Sequence, residues 1–291
     1  MHLSITCSIA VMVISLSVHC RGRSGNYVNE DSSFGNVNRP WIWGSTEDGE
    51  IIFESLTSET LDGALNVIRT SFFTDENMCK GCGLLSEPGA SEEVEQLILD
   101  VAKDGISIIA RDVITNKVVG TIFNKLLKPT IGNEKSQLEI SRENVKHNAS
   151  KCFIDVNLDV DSRADIFKLY NADCIMEMTF LAVRPDYRQR GIAESLVSSS
   201  LELGRQLYNG MPVKTSVDVD GISIANVDDI PNLAAATMTS KHSQKLADKL
   251  GFVKVIEISF NEVMFEGTPL SEKIGDTHQT AVIDVKSLST N

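Results

Sequence analysis

The 291-residue chain is 42% hydrophobic and 23% charged, too apolar for a disordered protein and long enough for one large domain or two small ones. Its 27 Lys and Arg against 40 Asp and Glu give a formal charge of −13, which repels a phosphate backbone and makes nucleic acid an unexpected partner. The same acidity suits a cationic small molecule or simply a well-solvated surface, and six cysteines are too few for a disulfide scaffold, so the core is not expected to depend on disulfides.

Taken in chain order, Leu3 to Val18 is an uncharged stretch followed by Arg21-Gly22-Arg23, the profile of a secretory leader or of an incidental N-terminal extension, and too short and Ser-rich for a stable membrane span. Cys7 and Cys20 fall within residues 1–20. Residues 21–49 read as a flexible linker rich in Ser, Asn, Gly and Asp, with Trp41 and Trp43 pinning its end to the domain. The folded domain is expected over 50–291. A strand is predicted at Glu50–Leu56, then a helix at Ser58–Phe73 with Leu61, Leu65, Ile68 and Phe72 on one face, and a helix at Ser91–Lys103. Ile106–Asp112 and Lys117–Leu127 form a predicted hairpin turning at Thr115-Asn116. Lys128–Ser150 reads as an inserted loop or short helix, Asp161–Tyr170 as a helix with Ile166, Leu169 and Tyr170 apolar, and Asn171–Asp173 as its break. Cys174–Val183 is the next strand, leading through Arg184-Pro185-Asp186-Tyr187 into a helix over Gly191–Tyr208 with Ile192, Leu196, Leu203 and Leu207 on one stripe. Pro212–Pro231 is read as an insertion before a strand at Leu233–Met238, although Val213–Val219 also has strand character. A helix at Ser240–Leu250 ending at Gly251 and strands at Phe252–Phe260 and Thr280–Val285 complete the pattern.

The strand-to-helix junction carries chemistry. In Arg188-Gln189-Arg190-Gly191-Ile192-Ala193, small residues at 191 and 193 let backbone N–H groups close on a ligand, and the helix N-terminus with its basic flank offers donors to a pyrophosphate. The plain alternative is a tight turn with solvated arginines. Neither the Gly-x-Gly-x-x-Gly dinucleotide fingerprint nor the Gly-x-x-x-x-Gly-Lys-Ser/Thr phosphate loop is present.

Val183-Arg184-Pro185-Asp186-Tyr187-Arg188-Gln189-Arg190-Gly191-Ile192-Ala193 resembles, at each defining position, the V-x-x-x-[FY]-[QR]-x-x-G-x-[GA] motif of the GCN5-related N-acetyltransferases, the GNAT superfamily. Within it the chain is similar to the arylalkylamine N-acetyltransferase-like branch best known from insects. Phe72-Phe73-Thr74-Asp75-Glu76-Asn77-Met78 resembles that branch's FFxDEPL signature, Ala164–Tyr170 its aspartate, phenylalanine and tyrosine helix, and Leu250-Gly251-Phe252 its late LGF. Asn77 departs from the usual proline, and the stretch near 212–231 is a further departure.

The resemblance implies one α/β domain with about seven mixed strands, helices on both faces, and a bulged central strand that splays from its neighbour. Leu181, Ala182 and Val183 would then pair main chain with the pantetheine arm of acetyl-CoA, and Arg188, Gln189, Arg190, Gly191, Ile192 and Ala193 would hold its pyrophosphate. It also implies Glu76 as the base that takes the proton of an alkylammonium, whose pKa of ~10 must be overcome before attack on a thioester. Without it, Asp75 and Glu76 are only acids at the unfavourable C-terminal end of a helix. Thr239 and Ser243 would help bind the amine or pass a proton to the leaving thiolate, although a plain N-cap explains them equally. His242 stands where the branch often has tyrosine and can likewise donate a proton. Cys79-Lys80-Gly81-Cys82 lacks the second pair of a zinc site, which leaves coincidence or a local disulfide. Asn148-Ala149-Ser150 is a glycosylation sequon that matters only if the leader directs secretion.

The expected activity is acetyl transfer from acetyl-CoA to a primary amine such as dopamine, serotonin, tyramine or octopamine, with polyamines or agmatine next and no metal. The rival is an inactive acyl-CoA-binding or secreted interaction protein of the same fold, favoured by the leader, the sequon and Asn77. Acetyl-CoA supply points to the cytoplasm, a true leader to the secretory pathway.

Overall fold

The computed structural model describes residues 40–132, 134–219, 221 and 229–289. The expected leader, most of the expected linker, Cys7, Cys20 and part of the 212–231 insertion lie outside these residues.

The first described element is β1 (Ile42–Ser45), which pairs antiparallel with β2 (Ile51–Ser55). It corrects the reading of 21–49 as linker throughout: a four-residue strand containing glycine has no alternation to betray it. Trp43 anchors it, donating its indole N–H to Ser55 Oγ at 3.0 Å, whereas Trp41 is exposed. Helix α1 (Leu61–Val67) continues through a π turn (Ile68–Phe72), closed by the Phe73 N–H on the Ile68 carbonyl, into the short α2 (Phe73–Asp75). Next come α3 (Asn77–Gly81), α4 (Ala90–Ala102), and the hairpin β3 (Ile108–Asp112) and β4 (Val118–Leu127), whose turn has Asn116 left-handed at φ 56°.

The 128–170 region differs most from expectation. It contains α5 (Gln137–Asn144), α6 (Asn148–Ser162) and α7 (Ile166–Tyr170). The helix predicted over Asp161–Tyr170 is therefore the end of one helix and the whole of another, separated where Asp165 caps α7 by accepting the Lys168 N–H at 3.0 Å. The apolar stripe of α6 is Cys152, Val156 and Val160 at i, i+4 and i+8, half hidden among polar residues. Leu169 and Tyr170, expected to be an apolar face, are exposed.

Strand β5 (Ile175–Val183) leads to α8 (Ile192–Tyr208) and back to β6 (Leu233–Met238), the one parallel pair in the sheet, as a strand-helix-strand crossover requires. Then follow α9 (Lys241–Lys249), β7 (Val253–Ser259), a two-residue hairpin β8 (Met264–Phe265) and β9 (Thr268–Pro269), α10 (Ser271–Ile274) and β10 (Thr280–Ser287). The mixed sheet runs β1-β2-β3-β4-β5-β6-β10-β7, eight strands against about seven expected, the addition being β1. Apolar cores lie on both faces: Ile68, Val94, Ile98, Phe123 and Phe153 on one, and Ile122, Met176, Leu196, Leu203 and Val282 on the other. Each such fully buried side chain contributes roughly 1.5–3 kcal/mol.

Two features of β5 position the site. The β4 register steps from Phe123↔Phe180 to Asn124↔Met178, so Thr179 is a bulge residue and the side chains beyond it change face. The parallel ladder to β6 covers only Ile175–Glu177 against Leu233–Ala235. Beyond Glu177 the two strands part, giving the splayed central strand the resemblance implies.

Cys82 and Cys152 form a disulfide that joins the end of α3 to α6 across 70 residues, while Cys79 is free and buried. This corrects the expectation of a core without disulfides, and of a pairing within Cys79–Cys82. Closing a loop of that length stabilises a chain by about 4 kcal/mol in the loop-entropy account. Urea unfolding of the oxidised protein is therefore expected to show a midpoint well above that of the protein held in dithiothreitol, and coincident midpoints would contradict the bridge.

Candidate active site

Glu76 is the single extended residue between α2 and α3, at φ −69° and ψ 139°. One carboxylate oxygen accepts the Cys79 N–H at 2.8 Å and the other accepts the Thr239 hydroxyl at 2.8 Å. The expected placement at a helix C-terminus is thus corrected: its side chain caps the N-terminus of α3. The π turn just before it shifts the helical phase so that Phe72 meets Phe180 of β5 edge to face, with ring centroids 5.4 Å apart. Cys79, pressed beside Glu76, has its thiol pushed well up by burial and by that carboxylate, so it stays a thiol at neutral pH.

Asn77 is buried and donates its side-chain N–H to the Thr239 carbonyl at 2.7 Å. The expected proline has no such group. Glu76 and Asn77 therefore hold Thr239 by its hydroxyl and by its main chain, tying the loop to the end of β6. Asn77→Ala leaves that carbonyl without its partner, and is expected to cost about 1–3 kcal/mol in urea unfolding while loosening Thr239 against Glu76.

Thr239 and Ser243 hydrogen-bond to different partners, Glu76 and Ser240. Ser240, not Thr239, caps α9, in a reciprocal capping box with Ser243. The Ser243 hydroxyl donates to the Ser240 carbonyl at 2.9 Å. His242 is exposed on the cavity rim with its ring 5.5 Å from that of His278. His278, which no sequence pattern marks, accepts the Lys241 N–H on Nδ1 at 3.2 Å, and burial together with His242 and Lys241 lowers its pKa, favouring the neutral ring.

These groups line one cavity of about 1380 Å³, larger than the ~300–1,000 Å³ usual for one small ligand. Leu181, Ala182, Val183, Arg188, Gln189 and Ala193 line it too. Where β5 has parted from β6, its edge toward β6 carries no ladder partner among the described residues from Met178 to Val183. At the following turn Gln189 and Gly191 are left-handed, at φ 63° and 74°, and α8 begins at once, leaving the N–H groups of Ile192, Ala193 and Glu194 without intrahelical acceptors. The Ile192 side chain is in the core, so only its main chain faces outward. Arg188 donates to the Val183 carbonyl at 3.1 Å and pairs with Asp75 at 2.5 Å, linking the turn to the Glu76 loop. Arg190 turns the other way, pairing with Glu50 at 2.5 Å and lying 5.6 Å from the Tyr187 ring centre, while the Tyr187 hydroxyl donates to Asp112 at 2.9 Å.

Among the acids lining the cavity, Glu177 and Asp161 have no place in the sequence-based site. Burial, then the Asp161 carboxylate, push Glu177 up to about 8, with Lys125 opposing. Asp161 is exposed at the cavity's open side, and the protein around it pushes its pKa upward. The signal for Glu177 was available: it is the one charge inside the otherwise apolar run Cys174–Val183.

No family model and no curated protein matches this chain. Solved structures do. Arylalkylamine N-acetyltransferase 2 from Aedes aegypti is 23% identical over 82% of this chain and 99% of its own, with a TM-score of 0.66. A putative arylalkylamine N-acetyltransferase 7 from the same mosquito is 18% identical over 86% and 96%, TM-score 0.65. A Drosophila melanogaster polyamine N-acetyltransferase described as forming N-acetylagmatine is 14% identical over 81% and 99%, TM-score 0.63. The chain has the fold of these GNAT acetyltransferases. Among the described residues, no helix is long and apolar enough to cross a membrane.

Proposed function

On the fold shared with these acetyltransferases, we propose that the protein transfers the acetyl group of acetyl-CoA to a primary amine, the arylalkylamines implied by the sequence resemblance being the first acceptors to try. One observation carries the reading. A carboxylate held by a hydroxyl, a free strand edge and a helix-opening turn with unpaired N–H groups all line a single cavity. The folded domain is read as beginning at β1, with acetyl-CoA and the amine as the two small-molecule partners.

In this mechanism the pantetheine arm adds to the open edge of β5 at Leu181–Val183, as a peptide adds to a sheet. The pyrophosphate lies over the 188–193 turn, where Arg188 exchanges Asp75 for phosphate oxygen and backbone donors supply the rest. The ammonium of the acceptor gives its proton to Glu76, directly or through water. The freed lone pair forms the C–N bond at the thioester carbonyl, the C–S bond breaks, and the second proton of the former amine nitrogen passes, through a cavity group, to the departing coenzyme A thiolate, leaving an amide with one N–H. Thr239 holds the base in place, and Ser243 or His242 is the relay that gives a proton to the leaving thiolate and is reprotonated by the nitrogen's second one. The walls formed by Phe72 and Phe180 suit a flat, apolar acceptor body.

Incubation of the purified chain with acetyl-CoA and a panel of primary amines, following free thiol, tests this reading. Amine-dependent release of coenzyme A is the expected result. Tight acetyl-CoA binding with no release for any amine would replace it with the inactive binding protein.

A further inference from the structure

Thr239, the residue that holds Glu76, is clamped on both sides by the segment that opens β10. Gln244 of α9 donates its side-chain amide to the Met238 carbonyl at 3.2 Å and to the Thr280 carbonyl at 3.1 Å, so the residue before Thr239 is tied to the start of β10. On the other side of Thr239, the Lys241 N–H opens α9 and has no acceptor within the helix. His278 supplies one from the neighbouring loop, with Nδ1 at 3.2 Å. A backbone N–H only donates, so Nδ1 carries no proton and the neutral ring bears its single proton on Nε2. The loop fixes the imidazole there: the Gln279 carbonyl accepts the Phe260 N–H at 2.9 Å, and the Gln279 side chain donates to the Ser271 and Gly275 carbonyls. Burial comes first among the causes that hold His278 below the ordinary histidine range, followed by His242 and Lys241 on α9 and Lys80 on α3.

We infer that His278 is a positioning residue of the site, and that the Glu76–Thr239 pair keeps its working geometry only while the His278 ring is neutral. The inference rests on the transfer reading above, which makes Glu76 the base. Protonation puts a second N–H on the ring at Nδ1, donor against donor with the Lys241 N–H. It also sets a positive charge at the positive end of α9, beside Lys241, His242 and Lys80. The first turn of α9 is then released from the loop, and one of the two ties flanking Thr239 is gone. A carboxylate base must lie within hydrogen-bond reach of the proton it takes, so a small displacement of Thr239 slows transfer while the coenzyme side is untouched. Stability follows the same sign. Because the fold favours the neutral ring, the contribution of this link is complete above the ordinary histidine value of 6.5 and is lost as pH falls through the lower folded value.

Two variants of the full chain test this. His278→Asn places Oδ1 where Nδ1 stood, an acceptor that does not titrate, and His278→Ala removes the acceptor. At about pH 8 and saturating amine, coenzyme A release by the asparagine variant is expected within about twofold of the wild type and by the alanine variant about five- to tenfold lower, with acetyl-CoA affinity unchanged in both. On going to about pH 5, the wild type should lose at least about threefold more of its rate than the asparagine variant does. An alanine variant with wild-type rates, or an asparagine variant with the full acid loss of the wild type, overturns the inference. Thermal unfolding supplies a readout independent of turnover: between the same two pH values the wild-type midpoint should drop at least about 2 °C further than that of the asparagine variant, and parallel curves overturn the inference. Midpoints that diverge in this way with no coenzyme A release from any amine sink the transfer reading instead, and leave the imidazole clamp standing.

Discussion

Glu76→Gln is expected to lower kcat for the best amine by about 10²–10⁴, equivalent to roughly 2.7–5.4 kcal/mol of barrier, while acetyl-CoA affinity is held. The geometry makes this a clean change. Both Glu76 hydrogen bonds have a counterpart in glutamine: the amide oxygen can still accept the Cys79 N–H, and the Thr239 hydroxyl can turn to accept the amide N–H. Size, the α3 cap and the link to β6 therefore persist, and basicity alone is lost. The remaining rate should climb as pH rises toward the amine's own pKa of about 10, because more acceptor then arrives deprotonated and needs no base. Asp75→Asn should do much less to kcat, since Asp75 is turned toward Arg188 and not toward Thr239. A Glu76→Gln variant that acetylates its best amine at the wild-type rate, with an unchanged pH profile, would show that the proton goes elsewhere.

What could be read in advance divides along local and non-local lines. The Val183–Ala193 junction combines an apolar strand, a tight turn and an amphipathic helix within one continuous stretch, so its backbone was legible, as was the hairpin turning at Asn116. Sheet edges were not: β1 owes its existence to pairing with β2, and a stretch such as Ile42–Ser45 has no preference strong enough to announce it. The long α6 was missed because Asp155, Asn157, Asp159 and Asp161 interrupt its apolar stripe, which becomes visible only when Cys152, Val156 and Val160 are aligned against the opposing helices. Within the site, Glu76 could be named from the resemblance but its surroundings could not. The bonds from Thr239 and Asn77 span 163 and 162 residues, and no spacing rule reaches that far. The same holds for the partnering of Cys82 with Cys152 instead of Cys79. Glu177 is a different case, since an acid inside a buried strand is itself a conflict between local pattern and burial, and such conflicts concentrate at sites of function.

Gly191→Val is expected to abolish most acetyl-CoA binding, and the structure supplies a matched control for the cost to folding. Gly191 is left-handed at φ 74°, and a Cβ built there meets no atom of the described residues within 4 Å. The space beside it is thus open to a ligand approaching the start of α8, and a branched side chain would fill the ground over which the pyrophosphate must settle. Valine also strains the backbone, by about 1–2 kcal/mol or somewhat more for a branched residue at positive φ. Gly210, just past the other end of the same helix, has φ 76° and equally open surroundings. Gly210→Val should therefore lose comparable stability in thermal unfolding while binding acetyl-CoA as the wild type does. Gly191→Val, studied by calorimetry at a temperature where both variants are folded, should lose at least about tenfold in affinity, or 1.4 kcal/mol. If the two variants bind acetyl-CoA alike, the backbone at 191 serves only to start the helix, and the pyrophosphate must be sought away from the 188–193 turn.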